Sequence, residues 1–124
     1  MSIKLIKDIL IKNRELVSLS SNDYVRDAAR LMKHRHVGSV LIIDENNLQG
    51  IFTERDVVYR IIAEGLDPDL TELKKVMTAK PITIDLNDTT LHALEIMQKG
   101  NFRHLPVTRE DTLYGIVSRR DFVQ

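Results

Sequence analysis

Gly50-Ile51-Phe52-Thr53-Glu54-Arg55-Asp56 returns 65 residues later as Gly115-Ile116-Val117-Ser118-Arg119-Arg120-Asp121. Both read as a glycine, two apolar residues, a hydroxyl, and Arg-Asp two places on. The match extends outward in both directions. Residues 16–59 align with residues 81–124 without a gap at that offset. Eleven pairs are identical: Asn22/Asn87, Asp23/Asp88, Ala28/Ala93, Met32/Met97, Glu45/Glu110, Leu48/Leu113, Gly50/Gly115, Ile51/Ile116, Arg55/Arg120, Asp56/Asp121 and Val58/Val123. A period of this length is a whole supersecondary unit rather than a solenoid turn. Two copies imply a pseudo-two-fold domain with two equivalent clefts, places suited to a small ligand.

Each copy reads as β-α-β-β-α. Val25, Ala28, Ala29, Leu31 and Met32 form a helical stripe, so a helix is expected over Asp23–Arg35, capped by Asn22 or Asp23. Its counterpart is expected over Asp88–Lys99, with Gly100 as the stop. Val40–Ile43 and Leu105–Val107 are short apolar runs of strand type. Polar turns at 44–47 and 109–112 lead into returning strands, Leu48–Phe52 and Leu113–Val117. Short lead strands are expected at Leu16–Ser18 and Pro81–Ile84. Residues 64–80 connect the copies, with a turn at Gly65–Pro68. Within them Leu73-Lys74-Lys75-Val76-Met77 resembles Ile6-Lys7-Asp8-Ile9-Leu10 at an offset of 67, so the lead-in is repeated too. The expected division is 1–65 and 66–124. The final helix of the second copy is short, so its apolar neighbours are expected to be covered by the N-terminal segment or by a second subunit.

Composition narrows the function. The 124 residues hold 43% hydrophobic and 29% charged side chains, ordinary for a globular domain. Eighteen basic residues balance eighteen acidic ones, which removes the usual electrostatic case for nucleic acid or membrane. Absence of cysteine excludes disulfides and thiolate metal sites. No apolar run approaches the roughly 20 residues that span a bilayer, and the start, Met1–Lys4, has no signal-like apolar stretch. A soluble cytoplasmic protein is expected. His34 and His36 sit among cations that complement a helix C-terminus, and no metal-ligand spacing exists, so no metal is expected. Met32 and Met97 read as core. No activated nucleophile, Walker-type loop or catalytic carboxylate pair is present, so an enzyme is not expected.

The Thr53–Asp56 and Ser118–Asp121 junctions carry the functional signal. Each hydroxyl stands where a strand gives way to a helix, where free N–H groups favour a phosphate. The carboxylate one turn on can accept from the two hydroxyls of a ribose. Arg55 or Arg120 beside it supplies a cation. Against this stands a plain helix cap, since Ser/Thr-x-x-Asp is a variant of the capping box.

Together with Val76-Met77-Thr78 before Pro81-Ile82-Thr83, and Arg103-His104-Leu105-Pro106-Val107, these motifs make residues 5–124 resemble a tandem pair of CBS domains, a Bateman module of the small stand-alone prokaryotic type. The resemblance implies an α/β fold of two β-α-β-β-α repeats packed sheet to sheet. It implies AMP, ADP, ATP or S-adenosylmethionine as regulatory ligand, with no cofactor. Asp56 and Asp121 match the positions that hold ribose hydroxyls. Thr53 and Ser118 match those contacting ribose or phosphate. Arg55, Arg120, Arg103 and His104 match positions facing phosphate, with Leu105 and Pro106 adjoining them. Ser18, Thr83 and Val40 match the walls around adenine. The first copy departs by placing Gly38-Ser39 where the second has Arg103-His104, so unequal clefts are expected. The resemblance also implies a homodimer, a disc of four repeats, whose output passes through an effector protein. A ligand-free structural scaffold is the alternative. Single-stranded nucleic-acid binding through the basic clusters is disfavoured by neutral charge and only 5% aromatics.

Overall fold

The structure, a computed structural model, describes residues 3–10 and 16–122. Met1, Ser2, Val123 and Gln124, on which part of the sequence reading falls, lie outside the described residues. The order is α1 (Ile6–Ile9), β1 (Ser18–Leu19), α2 (Val25–Arg35), β2 (Ser39–Asp44), β3 (Asn47–Thr53), α3 (Glu54–Asp56) continuing as a π-helical stretch (Val57–Ile62), a 3-10 turn (Leu73–Lys75), β4 (Thr78–Ala79), β5 (Ile84–Asp85), α4 (Thr90–Gly100), β6 (His104–Arg109), β7 (Thr112–Ser118) and a 3-10 turn (Arg119–Phe122). The fold is α/β, with two sheets and flanking helices.

The two sheets share one plan. One is ordered β1-β2-β3-β4 and the other β5-β6-β7. Leu19 pairs in parallel with Ile42, and Ile84 with Val107. Each antiparallel hairpin carries an irregularity at the same place, between Ile42 and Ile43 and between Val107 and Thr108. The turns are tighter than expected. Only Glu45-Asn46 and Glu110-Asp111 lie outside the strands, with φ of 49° and 67°, and of 51° and 64°. Positive φ at both central residues is the type I′ arrangement that matches the strand twist.

The helix ends differ from the sequence reading. Neither Asn22 nor Asp23 caps α2. Tyr24 is the cap residue, and its amide donates to Asp27 Oδ2 at 2.9 Å, while Asp23 accepts from Ser20 N–H at 2.8 Å. Thr89 caps α4 through the His92 amide at 3.1 Å. Gly100 is the last helical residue rather than the stop. Asn101, at φ 56°, is the left-handed cap, as His36 is for α2 at the same φ. The lead strands also lie slightly later, so Thr83 falls just before β5.

Two cores result. Val25, Ala28, Met32, Val40, Ile42, Phe52, Ile61, Leu73 and Val76 form one, and Ile6, Ile84, Leu86, Ala93, Met97, Leu105, Val107 and Val117 the other. Both methionines are core, as the stripe predicted. The compact units cut across the sequence repeats. One unit is Val17–Pro81, and the other joins residues 1–16 to residues 82–124. The cause is visible in the main chain. Ile6 N–H donates to Asp88 O at 2.8 Å, Lys7 N–H to Leu86 O at 3.0 Å, and Thr90 N–H to Lys4 O at 2.9 Å. Leu73 N–H to Asp23 O, Lys74 N–H to Ser21 O and Val25 N–H to Thr71 O repeat those bonds in the other unit. Each lead-in therefore seats on the copy to which it is not adjacent in the sequence reading. Ile6 and Leu73 are fully buried, each worth roughly 1.5–3 kcal/mol of apolar burial. The N-terminal segment thus does cover the second copy, but as the counterpart of 73–77 and not as a substitute for a missing helix.

Candidate functional site

Each strand-to-helix junction is a satisfied cap. Thr53 N–H donates to Asp56 Oδ2 at 2.9 Å, and Asp56 N–H donates to Thr53 Oγ1 at 3.2 Å. In the second copy Ser118 N–H donates to Asp121 Oδ2 at 2.7 Å. The next amide is also engaged, Glu54 N–H with Gly38 O at 3.0 Å and Arg119 N–H with Arg103 O at 2.8 Å. The sequence reading expected outward N–H groups for a phosphate. Those at positions 53, 54, 56, 118 and 119 are turned onto the protein's own oxygens.

The same carboxylate device recurs where no ligand is expected. Leu5 N–H donates to Asp8 at 2.9 Å, Ser20 N–H to Asp23, and Tyr24 N–H to Asp27. Asp three residues after a turn of chain is this protein's general way of satisfying an amide. Asp56 and Asp121 differ in that the hydroxyl they follow, Thr53 or Ser118, is the last residue of a seven-residue hairpin strand, whereas Ser20 before Asp23 lies beyond the two-residue β1. Thr53 Oγ1 spends a lone pair on the cap, so its own proton remains available to a ligand.

The strands bring several expected residues together. Ser39 pairs with Thr53, and His104 with Ser118. Arg103 and His104 therefore adjoin Ser118, Arg120 and Asp121 in one unit, giving that junction more positive charge than Gly38-Ser39 gives Thr53, Arg55 and Asp56. Ser18 and Thr83 are exposed near their strand edges. Val40 and Leu105 are different, being fully buried with their side chains in the two cores. They offer a ligand only main chain. Pro106, buried, alternates to the opposite sheet face.

Arg60 was not singled out by sequence. Its Nε lies 3.4 Å from Asp56 Oδ1, and its Nη1 donates to Val76 O at 2.7 Å. The spacing of four from Asp56 was the available signal, but Val76 comes near only through the fold. Other polar groups brace loops. Asp44 accepts from the Ser20 and Ser21 hydroxyls and from the Ser21 amide. These bonds, the Ser21 hydroxyl foremost, hold its carboxyl below the ordinary range. Asp88 is lowered chiefly by the His92 ring, 2.7 Å away. Among the described residues no cluster of three or more His, Asp or Glu is arranged to hold a metal ion. Among them, too, no helix is long and apolar enough to cross a membrane.

Comparison with known proteins follows the same repeat. The family model described as "CBS domain" matches twice, over residues 6–63 and 73–124. The CBS domain-containing protein CBSCBSPB2 of Arabidopsis thaliana is 39% identical over 83% of this chain, which spans about a fifth (19%) of that relative's length. YhcV of Bacillus subtilis is 30% identical, with 86% of this chain and 76% of the relative covered. Among solved structures, the CBS domain NE2398 superposes with a TM-score of 0.91 at 28% identity, covering 98% of this chain and 96% of the other. PAE2072 of Pyrobaculum aerophilum, complexed with AMP, gives 0.86 at 27%, covering 96% and 90%. The CBS pair of MJ0100, with 5′-methylthioadenosine and S-adenosyl-L-methionine, gives 0.84 at 27%, covering 97% and 93%.

Proposed function

Because this chain belongs to the CBS-domain family and carries two copies in tandem, we propose that it is a regulatory module that binds an adenine nucleotide or S-adenosylmethionine. One observation carries the reading: a hydroxyl and a carboxylate stand together at the end of the same core strand in both copies. At each, Asp56 or Asp121 would accept from the ribose diol while continuing to cap its helix, and Thr53 or Ser118 would donate its remaining proton. Arg55 would serve the phosphate at the first junction, with Arg103, His104 and Arg120 at the second. Adenosyl ligands bound to PAE2072 and MJ0100 support the ligand class. The module is a binder and not a catalyst, cytoplasmic, and acts through a partner protein. Binding switches the partner only as far as the ligand prefers one conformation over another. A homodimer is part of the reading, since Val58, Tyr59 and Ile62 expose apolar side chains that a second copy would cover. Sedimentation of a monomer at micromolar concentration would remove that element.

Calorimetry with AMP, ADP, ATP and S-adenosylmethionine tests the ligand. A dissociation constant near 1 μM, about −8 kcal/mol, is expected for one of them. Asp56→Asn and Asp121→Asn keep an oxygen for the cap while weakening diol acceptance, and each should depress binding at one site. Isotherms unchanged in both variants would remove the ribose assignment. The recurrent Asp caps favour one rival, a ligand-free scaffold. A ligand at a hundred times its dissociation constant adds about 2.7 kcal/mol to stability, so thermal melts that do not move with any of the four would select the scaffold.

A further inference from the structure

Asp56 divides its two oxygens between different tasks. Oδ2 takes the Thr53 amide, and Oδ1 faces Arg60 Nε at 3.4 Å. Arg60 is itself fixed at its far end, with Nη1 on Val76 O at 2.7 Å and Nη2 on Thr78 Oγ1 at 3.4 Å. All three guanidinium nitrogens are thus engaged, and they tie the carboxylate to the segment that enters β4. The Asp56 side chain is 15% exposed, so the pair is shielded on the carboxylate side. A carboxylate oxygen accepts more than one donor. Oδ1 therefore keeps capacity for a sugar hydroxyl while the guanidinium sets its direction.

We propose that Arg60 is a positioning residue for Asp56, held by Val76 and Thr78 so that Oδ1 points at the ribose diol of a ligand at the first junction. The proposal rests on the nucleotide reading above. A planar fork anchored at two points can hold such an orientation, and a lysine ammonium cannot. An ordinary half-exposed ion pair would influence stability alone, and weakly. Discrimination between sugars separates the two roles.

The test uses the full chain carrying Asp121→Asn, so that the first junction dominates, and calorimetry with AMP and with 2′,3′-dideoxy-AMP. The starting protein is expected to prefer AMP. Arg60→Met should cut that preference about fivefold and leave the dideoxy affinity unchanged. Arg60→Lys should lose it similarly despite keeping the charge, and it stands in should the methionine variant fail to melt cooperatively. Thr78→Val should give a smaller loss in the same direction. Preference unchanged in Arg60→Met and Arg60→Lys, or both ligands weakened equally, would overturn the proposal while the nucleotide reading stands. A starting protein that binds AMP without preferring it to the dideoxy compound would instead overturn the diol assignment of Asp56, and this proposal with it.

Discussion

The two copies have one skeleton and two sets of braces. Their main chains agree in strand register, in the irregular step of each hairpin, in the left-handed helix caps and in the three bonds that seat each lead-in. Their polar side chains do not agree. In the first copy Asp44 gathers both serines of the β1–α2 loop, whereas the second has Arg109 at that position. The second copy pairs the Asp88 carboxylate with His92, while the Asp23 carboxylate in the first accepts from the Ser20 amide. Backbone pairing and apolar burial are what the repeat preserves, and single polar contacts have been free to diverge. The junctions, being built from both, share a cap and differ in charge.

The largest break in this equivalence should come from the lead-ins. Ile6→Ala and Leu73→Ala each empty a fully buried site and should cost about 2–5 kcal/mol in urea unfolding. Similar losses would confirm that the two segments do the same work. A cost below about 1 kcal/mol for Ile6→Ala alone would show that the N-terminal seat is dispensable.

A smaller and unequal effect is expected at the paired glycines. A β-carbon at position 50 would lie 2.6 Å from Met77 Sδ and 2.7 Å from the Thr78 carbonyl oxygen, whereas at position 115 the nearest atoms are Leu10 methyls at 3.2 Å and 3.3 Å. Met77 and Leu10 are counterparts at the lead-in offset. The carbonyl cannot step aside without moving β4, but a leucine side chain can turn. Gly50→Ala should therefore lower stability by about 1–3 kcal/mol, and Gly115→Ala by less. Equal melting temperatures for the two variants would refute the difference.

The smallest effect sharpens the contrast in braces. Asp44 and Asp88 are both held below the ordinary carboxylate range, by different partners. Depressed folded values mean that the stability they confer is complete above about pH 4, the unfolded value. It is lost as pH falls through the lower folded values. Asp44→Ala should lower the melting temperature at pH 7 and flatten the fall below pH 4. An unaltered acid profile would show that the Ser20–Ser21 brace contributes nothing.

Much of the fold was legible because its signals are periodic and repeated. A 3.6-residue stripe marked α2 and α4, short apolar runs bounded by polar turns marked the hairpins, and a constant offset linked the two copies. The seating of the lead-ins was not legible. The likeness of Ile6–Leu10 to Leu73–Met77 says that both do one job, but the copy each covers depends on how the main chain pairs at Asp88 and Asp23. The start of α2 was shifted because Asp23 takes the Ser20 amide and Asp27 the Tyr24 amide, which moves the cap to Tyr24. At the junctions the hydroxyl and carboxylate could be read, and so could their service as a helix cap. Which amides were already taken could not, since Gly38 O and Arg103 O arrive from a distant strand. Arg60 was hidden for the same reason.

The interleaving of chain and units also bears on how the protein is made. Residues 17–81 hold every contact of their own unit and can close as soon as they leave the ribosome. The N-terminal turn at Ile6 must wait for the strand and loop at 84–88, some 80 residues behind it, or ~4–16 s at synthesis rates of 5–20 residues per second. During that interval Ile6, Ile9 and Leu10 are greasy and unclaimed, while their look-alikes at 73–77 reach their own seat first. The seat at residues 21–25 is itself complete before residues 73–77 are made, so for that short span the earlier segment is the one on hand that resembles its proper occupant.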